Sequence, residues 1–304
     1  MKKVLSTMLA GACTMTVLAA KELKVLSVGN SFSWSAAEYL PKMVNSVGGL
    51  SLVFEHASLG GCPMERHWKL VEQCEADPKL KPYTENGQKF TLREKLESKK
   101  WDIVTIQQAS AQSWIKDSYM PYAKNLYDYI KKYAPQAEVV IQETWAYRPD
   151  EKRLAFWKID QQTMYDNLAK NYRWLAGELK CRVLPVGDAV QMCREAQADK
   201  FIPYDVAAVA KLKYPEPLPE IKGSLVPGWR WVKSKDKNKP DEYVASFDAA
   251  HLNNRGKYLQ CCVWFAVLYG RPTSEIKFVP EGITPEDAAF LRGIAQKAVD
   301  SFKL

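Results

Sequence analysis

Apolar positions along this chain follow two alternating rhythms. Short, nearly continuous apolar runs have the length and β-branched content of buried strands: LKVLSV (23–28), LSLVFEHAS (50–58), DIVTIQ (102–107), AEVVIQET (137–144) and RVLPVG (182–187). Between them lie stretches with the three-to-four-residue spacing of helices: 35–47, 64–75, 122–134, about 158–179, a helix opening at Asp188, 251–270, and a last one starting near Thr284-Pro285-Glu286. A strand, a helix and a further strand join as a right-handed crossover, so the alternation predicts a parallel sheet with helices on both faces. The expected architecture is α/β: a single-domain, three-layer α/β/α sandwich around a flavodoxin-like, five-stranded parallel sheet. In such sheets, sites form where loops collect at the carboxyl ends of the strands. Residues about 199–247 break the rhythm. They are rich in Pro, Lys and aromatics and too long for an ordinary connection, so they read as an insertion, with Trp229 and Trp231 as candidates for a substrate-binding lid.

The 304 residues suit one large domain, and 47% hydrophobic with 26% charged residues is a globular balance. Residues 1–20 look like an export signal: Lys2 and Lys3, an apolar stretch from Val4 to Leu18, then the small Ala19 and Ala20. The expected domain is then 21–304, in a periplasmic or extracellular protein. LAGAC, ending at Cys13, offers lipoprotein anchoring as an alternative. No other segment is apolar enough to span a membrane. The net charge of +8 is scattered in short clusters interrupted by acids, which argues against a nucleic-acid partner. Six cysteines follow the signal segment. They read as disulfide partners or as plain buried thiols, and no CxxC with partnering histidines suggests zinc.

Three histidines limit the search for a general base: His56, His67 and His251. His56 lies within a strand. His67 follows Gly61 by six residues, either lining a pocket as a substrate-binding residue or bonding to backbone. His251 has the most telling context, because Asp248 precedes it by three residues in SFDAAHLNN. At that spacing a carboxylate reaches the ring nitrogen facing away from a nucleophile and fixes the tautomer. The nucleophile candidate is Ser31 in VGNSFSW, two residues past Gly29 and at the start of a helix, where backbone N–H groups favour developing negative charge. Either partner, taken alone, also reads as a helix cap.

Together these residues resemble the SGNH/GDSL hydrolases. GNSFS resembles their first block, LGGC (59–62) their second and DAAH their last, in the same order and with similar spacing over nearly the whole chain. GNSF, GGCPMERHW, WDIVTIQQAS, QETWAYRP, QQTMYDNL and HLNNRGKYL look more narrowly like a branch treated as a domain of unknown function. The resemblance implies a serine esterase with catalytic Ser31, Asp248 and His251 and no cofactor or metal. It implies an oxyanion hole built from the Ser31 N–H, the Gly61 N–H (with Gly60 as rival) and a third-block carboxamide. Two departures stand out. Asn30 replaces the usual Asp, and QQASAQS replaces the third-block G-x-N-D, which leaves Gln107 or Gln108 for the carboxamide; Gln108 is favoured. Trp145 and Tyr147, following strand four, are candidate substrate-binding aromatics that either stack on a sugar or pack. The implied substrate is a short-chain ester, acetyl for example, on a small molecule or carbohydrate. Alternatives are a non-catalytic carbohydrate-binding protein on a degenerate hydrolase fold and an acyltransferase using the same triad.

Overall fold

The structure, a computed structural model, describes residues 21–239 and 241–303. The expected signal segment and Cys13 lie outside the described residues. Five parallel strands form the main sheet: β1 (Lys21–Gly29), β2 (Leu50–Ser58), β5 (Ile103–Ile106), β6 (Glu138–Gln142) and β7 (Arg182–Leu184). Their order across the sheet is β2-β1-β5-β6-β7, the doubly wound order whose crevice opens at the carboxyl ends of the first and third strands. The expected sandwich with a five-stranded parallel sheet is therefore what the chain forms. Two small antiparallel ribbons lie outside it: β3 (Tyr83–Glu85) with β4 (Gln88–Phe90), and β8 (Gly228–Lys233) with β9 (Tyr243–Asp248).

Eleven α-helical segments are described. They are α1 (Ser31–Trp34), α2 (Leu40–Asn45), α3 (Met64–Ala76), α4 (Leu92–Glu97), α5 (Tyr122–Tyr133), α6 (Lys152–Trp157), α7 (Gln161–Leu179), α8 (Val186–Ala196), α9 (Val206–Val209), α10 (Asn254–Tyr269) and α11 (Pro285–Ser301). α10 is apolar all round and buried along almost its whole length, as a helix enclosed by neighbours must be. Strand interiors such as Val25, Leu26, Val104 and Val140 are fully buried, which matches their uninterrupted apolar runs.

Several boundaries differ from the sequence expectation for local reasons. The predicted helix over 35–47 is split into a 3-10 turn (Ser35–Glu38) and α2, and α1 precedes it. The fifth strand stops at Leu184 because Pro185 cannot donate to the ladder, and α8 begins at Val186 rather than Asp188. His251 lies outside α10, whose N-cap is Asn253 through its side chain and the Gly256 N–H. Within the insertion, β8 and β9 pair in a ribbon that the sequence pattern did not announce. The six described cysteines are all buried and free of disulfides. Burial pushes the Cys62 and Cys181 thiols up to about 11, so they behave as apolar fillers.

Candidate active site

The turn leaving β1 is held by close packing and buried hydrogen bonds. A Cβ on Gly29 would lie 2.7 Å from Ser33 Oγ and 2.9 Å from Gln107 Cγ, so only glycine lets the chain pass there. Asn30, 2% exposed, caps α1 by accepting from the Phe32 N–H at 3.1 Å. Its amide donates to the Cys62 carbonyl at 3.1 Å, and its oxygen accepts from Gln107 Nε2 at 2.6 Å. One buried carboxamide thus ties the serine turn to the Gly60-Gly61 loop and to the end of β5. A carboxylate at this position could not donate to the Cys62 carbonyl, which gives a physical reason for Asn here. Ser31 is then the first residue of α1, where the N–H has no intrahelical acceptor.

Ser31 Oγ lies 2.9 Å from His251 Nε2, although the two residues are 220 apart in sequence. His251 Nδ1 lies 3.0 Å from Asp248 Oδ2, while Asp248 Oδ1 accepts the backbone N–H groups of Ala250 and His251. Because Oδ2 can only accept, Nδ1 carries the proton and Nε2 accepts the hydrogen bond of the Ser31 hydroxyl. Partial burial alone would raise the Asp248 pKa. Hydrogen bonds from the His251 ring and from the two backbone N–H groups outweigh it and hold the carboxyl well below the usual range.

The DAAH turn is anchored from below by the segment after β6. Trp145 Nε1 donates to the Ala250 carbonyl at 2.7 Å, and the Arg148 N–H donates to the Ala249 carbonyl at 3.0 Å. Phe32 stacks on Trp145 at 4.1 Å and meets the His251 ring edge-on at 5.4 Å. The TWAYR motif therefore positions the turn that carries the imidazole. This corrects the expectation for Trp145 and Tyr147 as sugar platforms. Both are 0% exposed, and Tyr147 spends its hydroxyl on Ser110 and Arg153.

Two further expectations need correction. Gln108 does not reach the serine as an oxyanion donor. Its oxygen accepts from the Met64 and Ala109 N–H groups, and its amide donates to Ser118 O and Oγ. Gln107, its rival, lies beneath Gly29 and bonds Asn30. His67 does not line a pocket either. It is 1% exposed; its Nε2 donates to the Gly29 carbonyl at 2.9 Å, and Nδ1 accepts from the Tyr83 hydroxyl at 2.8 Å. Burial lowers its pKa to about 4, so the ring stays neutral. Gly61 is exposed with φ +60°, and among the described residues neither its N–H nor that of Gly60 has an acceptor. His56 sits in β2, as read.

A cleft of about 500 Å³ opens at Ser31, Asp248 and His251, and Trp34, Glu38, Arg230 and Lys257 also line it. A larger cavity of about 770 Å³ lies under the insertion, between Arg194 and Tyr204 among others, and holds none of the three. Chemistry, rather than size, marks the site. Trp34, Glu38, Arg230 and Lys257 were missed from sequence. Trp34 was findable, being one helical turn beyond Ser31. Arg230 required the pairing register of a ribbon that was not foreseen. Trp229 and Trp231 do not form a lid over the cleft. Strand alternation turns them to the other face of the ribbon, where Trp229 packs on Phe247 and Trp231 bonds the Glu216 carbonyl.

A serine hydroxyl, an imidazole and a carboxylate in one hydrogen-bonded chain, at the carboxyl end of a doubly wound parallel sheet, is the arrangement found in serine hydrolases. The chain belongs to the family described as Domain of unknown function (DUF4886), which it matches over residues 24–205. A solved DUF4886 protein from Bacteroides uniformis has 24% identity and a TM-score of 0.69, over 92% of this chain and 96% of that one. Structural neighbours include hydrolases of the SGNH/GDSL type. One is assigned to the SGNH hydrolases, from Slackia heliotrinireducens (18% identity, TM-score 0.49, 82% and 100% covered). Another is the lipase/acylhydrolase from Enterococcus faecalis (10% identity, TM-score 0.45, 82% and 96% covered). No curated protein gives a significant match.

Proposed function

We propose that this protein is an exported serine esterase that hydrolyses a short-chain ester, such as an acetyl group on a carbohydrate, through an acyl-enzyme. The observation that carries this reading is the 2.9 Å contact between Ser31 Oγ and His251 Nε2, with Asp248 behind the ring. His251 takes the Ser31 proton as the oxygen attacks the ester carbonyl. The tetrahedral oxyanion faces the Ser31 N–H and the N–H of Gly61 or Gly60. Since Gln107 and Gln108 are both committed elsewhere, the oxyanion hole consists of backbone donors. The tetrahedral intermediate collapses, His251 gives its proton to the leaving alcohol, and Ser31 keeps the acyl group. Water then attacks the acyl-enzyme, His251 takes a proton from it, and collapse releases the carboxylic acid and returns that proton to Ser31 Oγ. No cofactor enters the scheme. The apolar segment after Lys2 and Lys3 supports export.

A fluorophosphonate probe tests this directly. The expected adduct is on Ser31, located by peptide mass spectrometry, and it disappears in Ser31→Ala together with hydrolysis of 4-nitrophenyl acetate. A folded protein that neither labels nor hydrolyses is not a serine esterase. Full hydrolysis by Ser31→Ala would move the chemistry elsewhere.

A further inference from the structure

The cleft carries a charge that the proposed ester chemistry does not use. Lys257 Nζ pairs with Glu38 at 2.6 Å, and Asp248 accepts from the neutral His251 ring and from two backbone N–H groups, so each of these side chains already has a partner. Arg230 is the remaining ionic group lining the cleft. Among the described residues it has no carboxylate within ion-pairing distance and no hydrogen-bonded side-chain partner.

The fold aims Arg230 deliberately. In the β8–β9 ribbon Gly228 pairs with Asp248 and Arg230 with Ser246. Side chains two residues apart on a strand share a face. The register that presents Asp248 to His251 therefore presents Arg230 to the same cleft. Asp248 cannot be brought to the imidazole by this ribbon without bringing the guanidinium with it. Trp34, which also lines the cleft, is 62% exposed, and its indole offers an apolar face one helical turn from Ser31. A planar guanidinium binds a carboxylate through two parallel N–H donors, and an exposed indole favours a ring.

Resting on the esterase reading, we infer that the alcohol portion of the substrate is a ring bearing a carboxylate, as in an O-acylated uronic acid, and that Arg230 is the residue that selects it. Hydrolysis leaves the carboxylate untouched; the guanidinium holds the ring while the acyl group passes to Ser31.

A matched pair of esters tests this: 4-acetoxybenzoate and its neutral methyl ester, which share an acyl group and a ring. At low ionic strength the wild type is expected to favour the anion in kcat/KM by about twofold to fivefold, the range of a solvent-accessible charge pair. The preference should shrink as salt is added. Arg230→Ala should abolish it, Arg230→Lys should keep part of it, and Arg230→Glu should reverse it. Arg230 is exposed, so melting temperatures near the wild type's are expected and confirm that each variant folds. A wild type without preference, or an Arg230→Ala variant that keeps the preference or slows both esters equally, overturns the assignment of Arg230 and leaves the esterase standing. Hydrolysis of neither ester overturns both.

Discussion

Ser31 and His251 touch, yet different kinds of structure hold them. The serine turn leaves a nine-residue strand inside the main sheet and is pinned by Asn30, Gln107 and His67, all nearly or fully buried. The imidazole sits on a turn after a ribbon that lies outside that sheet, with its side chain 50% exposed. The first arrangement fixes backbone donors, whose positions an oxyanion requires. The second leaves the imidazole open to solvent, held by one carboxylate and by a turn whose carbonyls accept from Trp145 and Arg148. The contrast separates residues whose loss should damage the fold from those whose loss should damage only the chemistry.

The largest expected effect lies on the ribbon side. His251→Ala should lower kcat on 4-nitrophenyl acetate by about a thousandfold or more while leaving the urea midpoint nearly unchanged. A comparable loss of stability would break the contrast. His67 should show the opposite pattern. Its folded pKa of about 4 lies below the ordinary histidine value, so the stability it contributes is fully present above about pH 6.5 and drains away as pH falls toward 4. That amounts to about 3 kcal/mol, and urea unfolding at neutral and acid pH should show a shallower slope for His67→Gln than for the wild type. Asn30→Ala strands the Cys62 carbonyl and the Gln107 amide and should cost about 2 kcal/mol, with reduced kcat; Gln108→Ala should cost about as much in stability but spare most of kcat. If Gln108→Ala instead lost activity with stability intact, the backbone oxyanion hole would be the wrong description. The smallest effect is expected at Phe247, whose packing on Trp229 stiffens the ribbon. Phe247→Ala should reduce kcat about tenfold through misplaced Asp248, with the global midpoint little changed.

The same contrast explains what could be read from the sequence. The strand runs and the helix spacings are local signals, and they gave the layers of the sandwich with boundary shifts of a few residues. That Ser31, Asp248 and His251 should come together was legible from their residue types, their neighbourhoods and the resemblance of GNSFS and DAAH to SGNH/GDSL blocks; the structure places the three side chains in one hydrogen-bonded chain. Choosing between Gln107 and Gln108 needed the tertiary partners: Met64 and Ser118 for one, Asn30 for the other. For His67, Trp145 and Tyr147 the sequence left binding and packing both open, since adjacency along the chain does not tell which side chains face solvent; the structure shows all three buried. Arg230 was invisible because its direction follows from cross-strand pairing inside an irregular insertion.

The sulfur atoms have a practical consequence of a different kind. Among the described residues, each of the six thiols is buried and none is bridged. The architecture therefore draws nothing from oxidation. Dithiothreitol should leave the integrity of the folded domain unaltered.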